Sequence, residues 1–173
     1  MDTGFVALLR HHAWATDRLL ATCESLPEEH LEFVAQGTYG GLGATLRHLV
    51  EAEERYVSRL RGEGERPGPA PNQPDPPAPP EALAPSVRVL RQRVRASSEA
   101  LIELAASYDP DAILRTTFRG EPVTLPAVVL FAQALDHGGE HRTQVRHALT
   151  ILGHEPPDID AWAWNEDLTP VGE

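Results

Sequence analysis

Two histidines four positions apart, His137 and His141, have the residue type and spacing in this chain that best suit chemistry. They lie in the stretch from Leu125 to Gly153, LPAVVLFAQALDHGGEHRTQVRHALTILG. At about 100° per residue they share a helical stripe with Leu130, Ala134, Val145, Ala148 and Leu152, so two imidazoles point where leucines are expected. Side chains one turn apart on a helix can both reach a single metal ion, and imidazole nitrogen is a common ligand for one. The alternative is a pair of hydrogen-bonded core histidines, and the pair by itself does not choose between the two. Gly138 and Gly139 lie between them. A glycine pair inside a helix costs roughly 1–2 kcal/mol relative to alanine, which the close approach of a neighbouring backbone or of a bound ligand would offset.

The elements that must position this pair read as helices. From about Thr3 to Ser25 the residues Phe5, Leu8, Leu9, His12, Leu19, Leu20 and Cys23 recur at helical spacing, and Pro27 ends the run. His11 and His12 are adjacent and point about 100° apart, so they cannot both serve one site. Cys23 on the apolar face reads as a small core residue. After a polar and Gly-rich connection from Pro27 to Gly41, a second long helix is expected from Leu42 to Arg61 on the stripe Leu42, Leu46, Leu49, Val50, Glu53, Val57 and Leu60. His48 lies on the flank of that stripe, where periodicity does not decide what it faces. A third runs from about Ser86 to Ser107, with Arg88, Arg91, Arg93 and Arg95 mostly outward as a solvated face. Between Tyr108 and Thr124 a short hairpin is expected, with Thr124 capping the last long helix and Pro126 in its first turn. Pro156 and Pro157 are expected to stop that helix, and Trp162 and Trp164 to pack back onto the bundle.

Nine of the sixteen prolines fall between Pro67 and Pro85, so residues 66–85 form an extended connection between the second and third long helices. The sum is an all-α fold, a four-helix bundle with one long Pro-rich connection, in a single domain over 1–173. A net charge of −11 and a pI near 5.1 argue against nucleic acid as the main partner. All fifteen basic residues are arginine, which excludes Schiff-base lysine chemistry. One cysteine, no apolar run near the ~20 residues of a membrane span and no evident targeting segment lead to the expectation of a soluble cytoplasmic protein, without membrane contact.

Four pieces together carry a resemblance: HHAWATDRLL, TLRHLVEAEERYVSRLRG, DHGGEHRTQVRHALTILG and the tail PPDIDAWAW. The chain resembles the DinB/YfiT-like superfamily of four-helix-bundle metalloenzymes over essentially its full length, the last-helix motif being the specific one. The resemblance implies a third ligand in the middle of the second long helix, which by position is His48, joining His137 and His141 around one divalent metal. It also implies a homodimer. Several relatives are thiol-dependent S-transferases or isomerases that use mycothiol or bacillithiol, and many have no known activity.

Three neutral imidazoles would leave a divalent ion, zinc or nickel by ligand type, with an open position that acidifies a thiol or a water. The site chemistry leaves thiol and water open, and the resemblance implies S-transfer or isomerisation with a small-molecule thiol and an electrophilic co-substrate, with metal-dependent hydrolysis as one alternative and a non-catalytic metal-binding, stress-response dimeric bundle as another. No residue is singled out as catalytic. Gln144, then Glu140 and Glu53, are the candidates to accept the other ring N–H of each ligand. His147, His154 and His30 read as ordinary surface histidines.

Overall fold

The computed structural model describes residues 3–63, 85–109, 111–118 and 121–169. Four helices are long: α1 (Thr3–Cys23), α3 (Leu42–Leu60), α4 (Val87–Ala106) and α5 (Val128–Ile151). Two are short, α2 (Glu28–Leu31) and α6 (Ala161–Leu168), and β1 (Ile113–Phe118) with β2 (Glu121–Pro126) forms an antiparallel hairpin. The fold is thus mostly helical with one small sheet, which is the hairpin expected ahead of the last long helix. The Pro-rich connection foreseen at 66–85 lies, except for Pro85, outside the described residues.

The long helices form a ring in which α1 packs against α4 and α5, and α3 packs against α4 and α5. Chain directions follow from which residues share a cluster. Leu19, Leu20 and Cys23 meet Val145, Ala148 and Leu149 together with Leu42, Leu46, Val50, Val87, Leu90 and Val94. Leu9, by contrast, meets Phe131 and Ala134 together with Val57, Ala100, Leu101 and Ala105. So α1 runs parallel to α5 and α3 parallel to α4, the two pairs being antiparallel to each other. Leu8, expected on the α1 stripe, is exposed.

Both helices that carry the candidate ligands end on a left-handed glycine. Gly62 (φ 72°) follows α3, with Gly62 N–H donating to Arg59 O and Glu63 N–H to Ser58 O. Gly153 (φ 80°) follows α5, with Gly153 N–H donating to Thr150 O and His154 N–H to Leu149 O. This is the paired closure that satisfies the last free carbonyls, and only glycine adopts that φ without strain. The stop therefore lies at Gly153, ahead of the prolines expected to provide it. The start of α5 also differs from expectation. Thr124 pairs with Arg115 in the hairpin and Pro126 with Ile113, so the ladder holds these residues extended and the helix begins at Val128.

Ser86 caps α4, its hydroxyl accepting from Val89 N–H. The outward arginines of α4 are used in pairs: Arg91 and Arg95 both hold Asp17 on α1, and Arg93 holds Glu54 on α3. The tail docks on α1 through Asp167, which accepts from Trp14 Nε1 and Arg18 Nη1, and through the ring of Trp164 against His11. Trp162 was expected to pack inward but is exposed; Asp160 caps α6 there, accepting from the backbone N–H of Trp162 and of Ala163. Among the described residues, no helix is long and apolar enough to cross a membrane.

Candidate metal centre

α3 and α5 run antiparallel side by side, which brings the flank of one helix that carries His48 onto the stripe of the other that carries His137 and His141. His137 Nε2 stands 3.1 Å from His48 Nε2 and 3.1 Å from His141 Nε2. All three offer ligand atoms within 4.8 Å of one another. Nitrogen ligands at about 2.0–2.1 Å in a tetrahedral arrangement stand roughly 3.3–3.4 Å apart, so the observed separations fit one divalent ion.

Protonation argues the same way. His141 donates its Nδ1–H to Gln144 Oε1 at 3.0 Å, which leaves the lone pair of His141 on Nε2, facing the other two rings. Burial, and then the neighbouring His141 and His48, push His137 down to about 3, so this ring is neutral at physiological pH. Ring nitrogens that converge this closely cannot satisfy one another fully by hydrogen bonds, whereas a cation would meet all three. The three-histidine cluster could therefore hold a metal ion.

The surroundings pin the rings. Tyr39 stacks on His48, ring centroids 3.9 Å apart, and meets His141 edge-on. Its backbone N–H donates to Gln144 Oε1 at 3.0 Å, so one amide oxygen holds both the cover and a ring. Tyr56 stands edge-on to His137, and burial raises its phenol pKa, a bond with Gln133 opposing. Of the expected acceptors, Gln144 thus touches a ring nitrogen and Glu140 touches Gln144, accepting from its Nε2 at 3.3 Å. Glu53 turns the other way, accepting from His12 Nε2 at 2.8 Å and from the hydroxyls of Ser97 and Ser98.

The remaining histidines divide. His147 is exposed, as expected. His30 and His154 are not independent surface groups, since His30 Nδ1 and His154 Nε2 are hydrogen-bonded at 2.8 Å and tie α2 to the end of α5. His11 bonds to Ile159 O, while His12 lies buried behind α5. Tyr39 and Arg142 were not anticipated. The one available signal for Arg142 was its position next to His141, and for Tyr39 the Gly-rich run GTYGG just before α3. Cys23 is the inert core residue expected, its thiol pushed up to about 12 by burial.

A mostly helical bundle with a three-histidine cluster between two antiparallel helices is the class that the fold and geometry define. The DinB family model matches residues 1–170, and the chain belongs to the DinB family. Its fold is similar to that of a DinB-like protein from Bacillus cereus ATCC 10987, a crystal structure 21% identical in sequence, with a TM-score of 0.61 over 91% of this chain and 96% of that one. No curated protein matches.

Proposed function

We propose that this protein is a divalent-metal-dependent enzyme in which His48, His137 and His141 hold the ion, zinc or nickel by ligand type. The observation that supports this most is the approach of the three Nε2 atoms, 3.1 Å for both pairs that include His137. When bound, an ion held by three neutral imidazoles keeps its full +2 charge and an open position, which acidifies a thiol or a water placed there. The chain's own residues do the rest. Gln144 fixes the tautomer and orientation of His141, Tyr39 fixes the plane of His48, and the phenol of Tyr56, kept protonated by burial, stands beside His137.

The reaction proposed is S-transfer or isomerisation using a low-molecular-weight thiol of the mycothiol or bacillithiol type and an electrophilic co-substrate, in a cytoplasmic homodimer. Family membership supports this reading, and the lack of a reactive thiol in the chain agrees with it: Cys23 is buried and held protonated, so the sulfur nucleophile has to be brought in. The test is metal content by mass spectrometry on protein purified without added metal, beside a His137→Ala, His141→Ala double variant, followed by a screen of small thiols with electrophilic acceptors. About one equivalent in the wild type and none in the variant is the expected result. No metal in either would return the histidines to the core.

A further inference from the structure

Behind the three imidazoles the core changes character. Its apolar residues form two clusters, one around Leu20, Leu46, Leu90 and Leu149 and the other around Leu9, Val57, Leu101 and Phe131. Along each helix the stretch between these clusters carries buried polar side chains: His12 and Thr16 on α1, Glu53 on α3, Ser97 and Ser98 on α4, Arg142 on α5. None of them is more than 9% exposed. They are joined into one string. Arg142 Nη1 donates to His12 Nδ1 and to Thr16 Oγ1, both at 3.0 Å; His12 donates its Nε2–H to Glu53 Oε2 at 2.8 Å; Ser97 and Ser98 donate to Glu53 Oε1 at 2.6 and 2.7 Å. Every long helix contributes.

The string is seated on the helix that carries two of the three histidines. A Cβ added to Gly138 would overlap His12 Cε1 and stand 2.9 Å from Arg142 Nη1. Gly139, by contrast, has nothing within 4 Å of an added Cβ. The two glycines of the pair thus differ in purpose, and the first exists to admit the His12 ring against the backbone between His137 and His141. At the other end of the string Glu53 lies on α3, the helix of His48. Burying a guanidinium and a carboxylate costs more desolvation than apolar packing would, and the best-attested return on such a layer is a fixed register between helices. A slip of α5 by one residue moves its side chains about 1.5 Å along the axis, which is half the separation of the converging nitrogens.

We infer that His12, clamped between Arg142 and Glu53 and seated on Gly138, is a positioning residue that sets α5 against α3 and so makes His48, His137 and His141 converge. The inference rests on the reading of these three as ligands for its consequence, but the convergence itself is measurable without metal. The experiment compares wild type, Gly138→Ala, Gly139→Ala and Glu53→Gln by zinc titration against a chromophoric chelator and by imidazole NMR of the zinc-free protein. Gly138→Ala and Glu53→Gln are expected to weaken zinc about 10-fold or more and to move the ring resonances of all three histidines. Gly139→Ala is expected to leave zinc affinity unchanged and to raise the melting midpoint by about 2–4 °C, as removal of a helix-interior glycine should. Equal zinc affinities across Gly138→Ala, Glu53→Gln and wild type, with unmoved rings, would overturn the inference.

Two failures remain distinguishable. A wild type that takes no zinc sinks the metal reading, while the ring resonances still decide the positioning role by whether Glu53→Gln moves those of His137 and His141 on the opposite helix. Should Gly138→Ala not fold, Gly138→Ala combined with His12→Ala restores the room that the methyl group needs. That double variant should fold and still bind zinc about 10-fold more weakly, and wild-type affinity in it would sink the role of His12.

Discussion

Replacing Gln144 by alanine isolates what one amide does for the candidate metal centre. Its Oε1 accepts both the Nδ1–H of His141 and the backbone N–H of Tyr39, each at 3.0 Å. His141 is only 5% exposed, so its ring N–H loses a partner that water replaces poorly. That N–H becomes more acidic when the opposite nitrogen ligates a cation, and a hydrogen bond with a charged partner contributes about 1.5–3 kcal/mol. The loss falls on the metal-bound state and corresponds to roughly 10–100-fold in zinc affinity. The Tyr39 bond, about 1 kcal/mol, is present with or without metal and should appear as a lower melting midpoint, by about 2–4 °C. Zinc titration against a chelating indicator measures the first effect and calorimetry of the metal-free protein the second. Gln144→Glu keeps an oxygen at the same place and should retain wild-type affinity within a few-fold. Gln144→Ala binding zinc within threefold of wild type would refute the claim that this side chain orients His141.

Two further outcomes follow from the rest of the molecule. Acid should destabilise the fold through Asp17 and Glu53. For Asp17 burial raises the carboxyl pKa, but the bonds and charges of Arg91 and Arg95 outweigh it and bring it down to about 2; Glu53 is likewise held below the ordinary carboxylate range, burial again being outweighed by the bond from His12. Both pKa values are lower folded than unfolded, so their stabilisation is complete above about pH 4–5 and declines as pH falls towards 2. Asp17→Asn should flatten that decline by about 1 kcal/mol, allowing for solvent screening of this partly exposed group, in urea titrations at pH 3 and pH 7. Phe131→Ala should cost about 3–5 kcal/mol, because this fully buried ring packs edge-on to Phe5 and Tyr108, with centroids 5.4 and 5.3 Å away. Its midpoint should fall by about 10 °C, and a fall of less than 3 °C would mean that the cluster collapses around the cavity.

Much of this was legible in the sequence for identifiable reasons. His137 and His141 stand on an apolar stripe at a spacing that only a helix makes meaningful, and four long amphipathic segments imply the ring that buries them. His48 was not legible from periodicity, because a flank position says nothing about which neighbour it meets; that depends on α3 packing antiparallel to α5. The glycine pair reads as room for a neighbouring backbone or a bound ligand; what approaches is a side chain, His12, from a helix more than a hundred residues away in sequence, and it approaches Gly138 alone. Glu53 was expected to serve the metal ligands, and its position on the α3 stripe is what turns it inward, to His12 and the α4 serines, instead. Arg142 was missed because arginine is ordinarily a surface residue. Here burial pulls it down to about 10, which still leaves it charged, and the partners that make its burial tolerable come from α1. The hairpin overrode a plausible capping residue at Thr124, since ladder bonds reach through Pro126.

The parallel course of α3 and α4 sets a requirement on the chain that joins them. α3 has 19 residues, so from its end the chain must return about 28 Å to begin α4 alongside it. At 3.3–3.6 Å per extended residue, no fewer than about eight or nine residues can make that return. The sequence supplies 26, from Arg61 to Ser86, roughly three times the minimum. Deleting ten residues from within 66–85 should therefore leave the bundle intact, because halving a loop changes its closure entropy by only about 0.6 kcal/mol. The expected result is a melting midpoint within a few degrees of wild type and unchanged zinc affinity. Deleting twenty leaves six, fewer than the return needs, and should abolish cooperative unfolding or force α4 to be supplied by a second chain. A ten-residue deletion that unfolds the protein would mean that the connection packs on the bundle as part of its core, and a twenty-residue deletion that keeps the oligomeric state and the full stability of the wild type would show that α3 and α4 are not parallel.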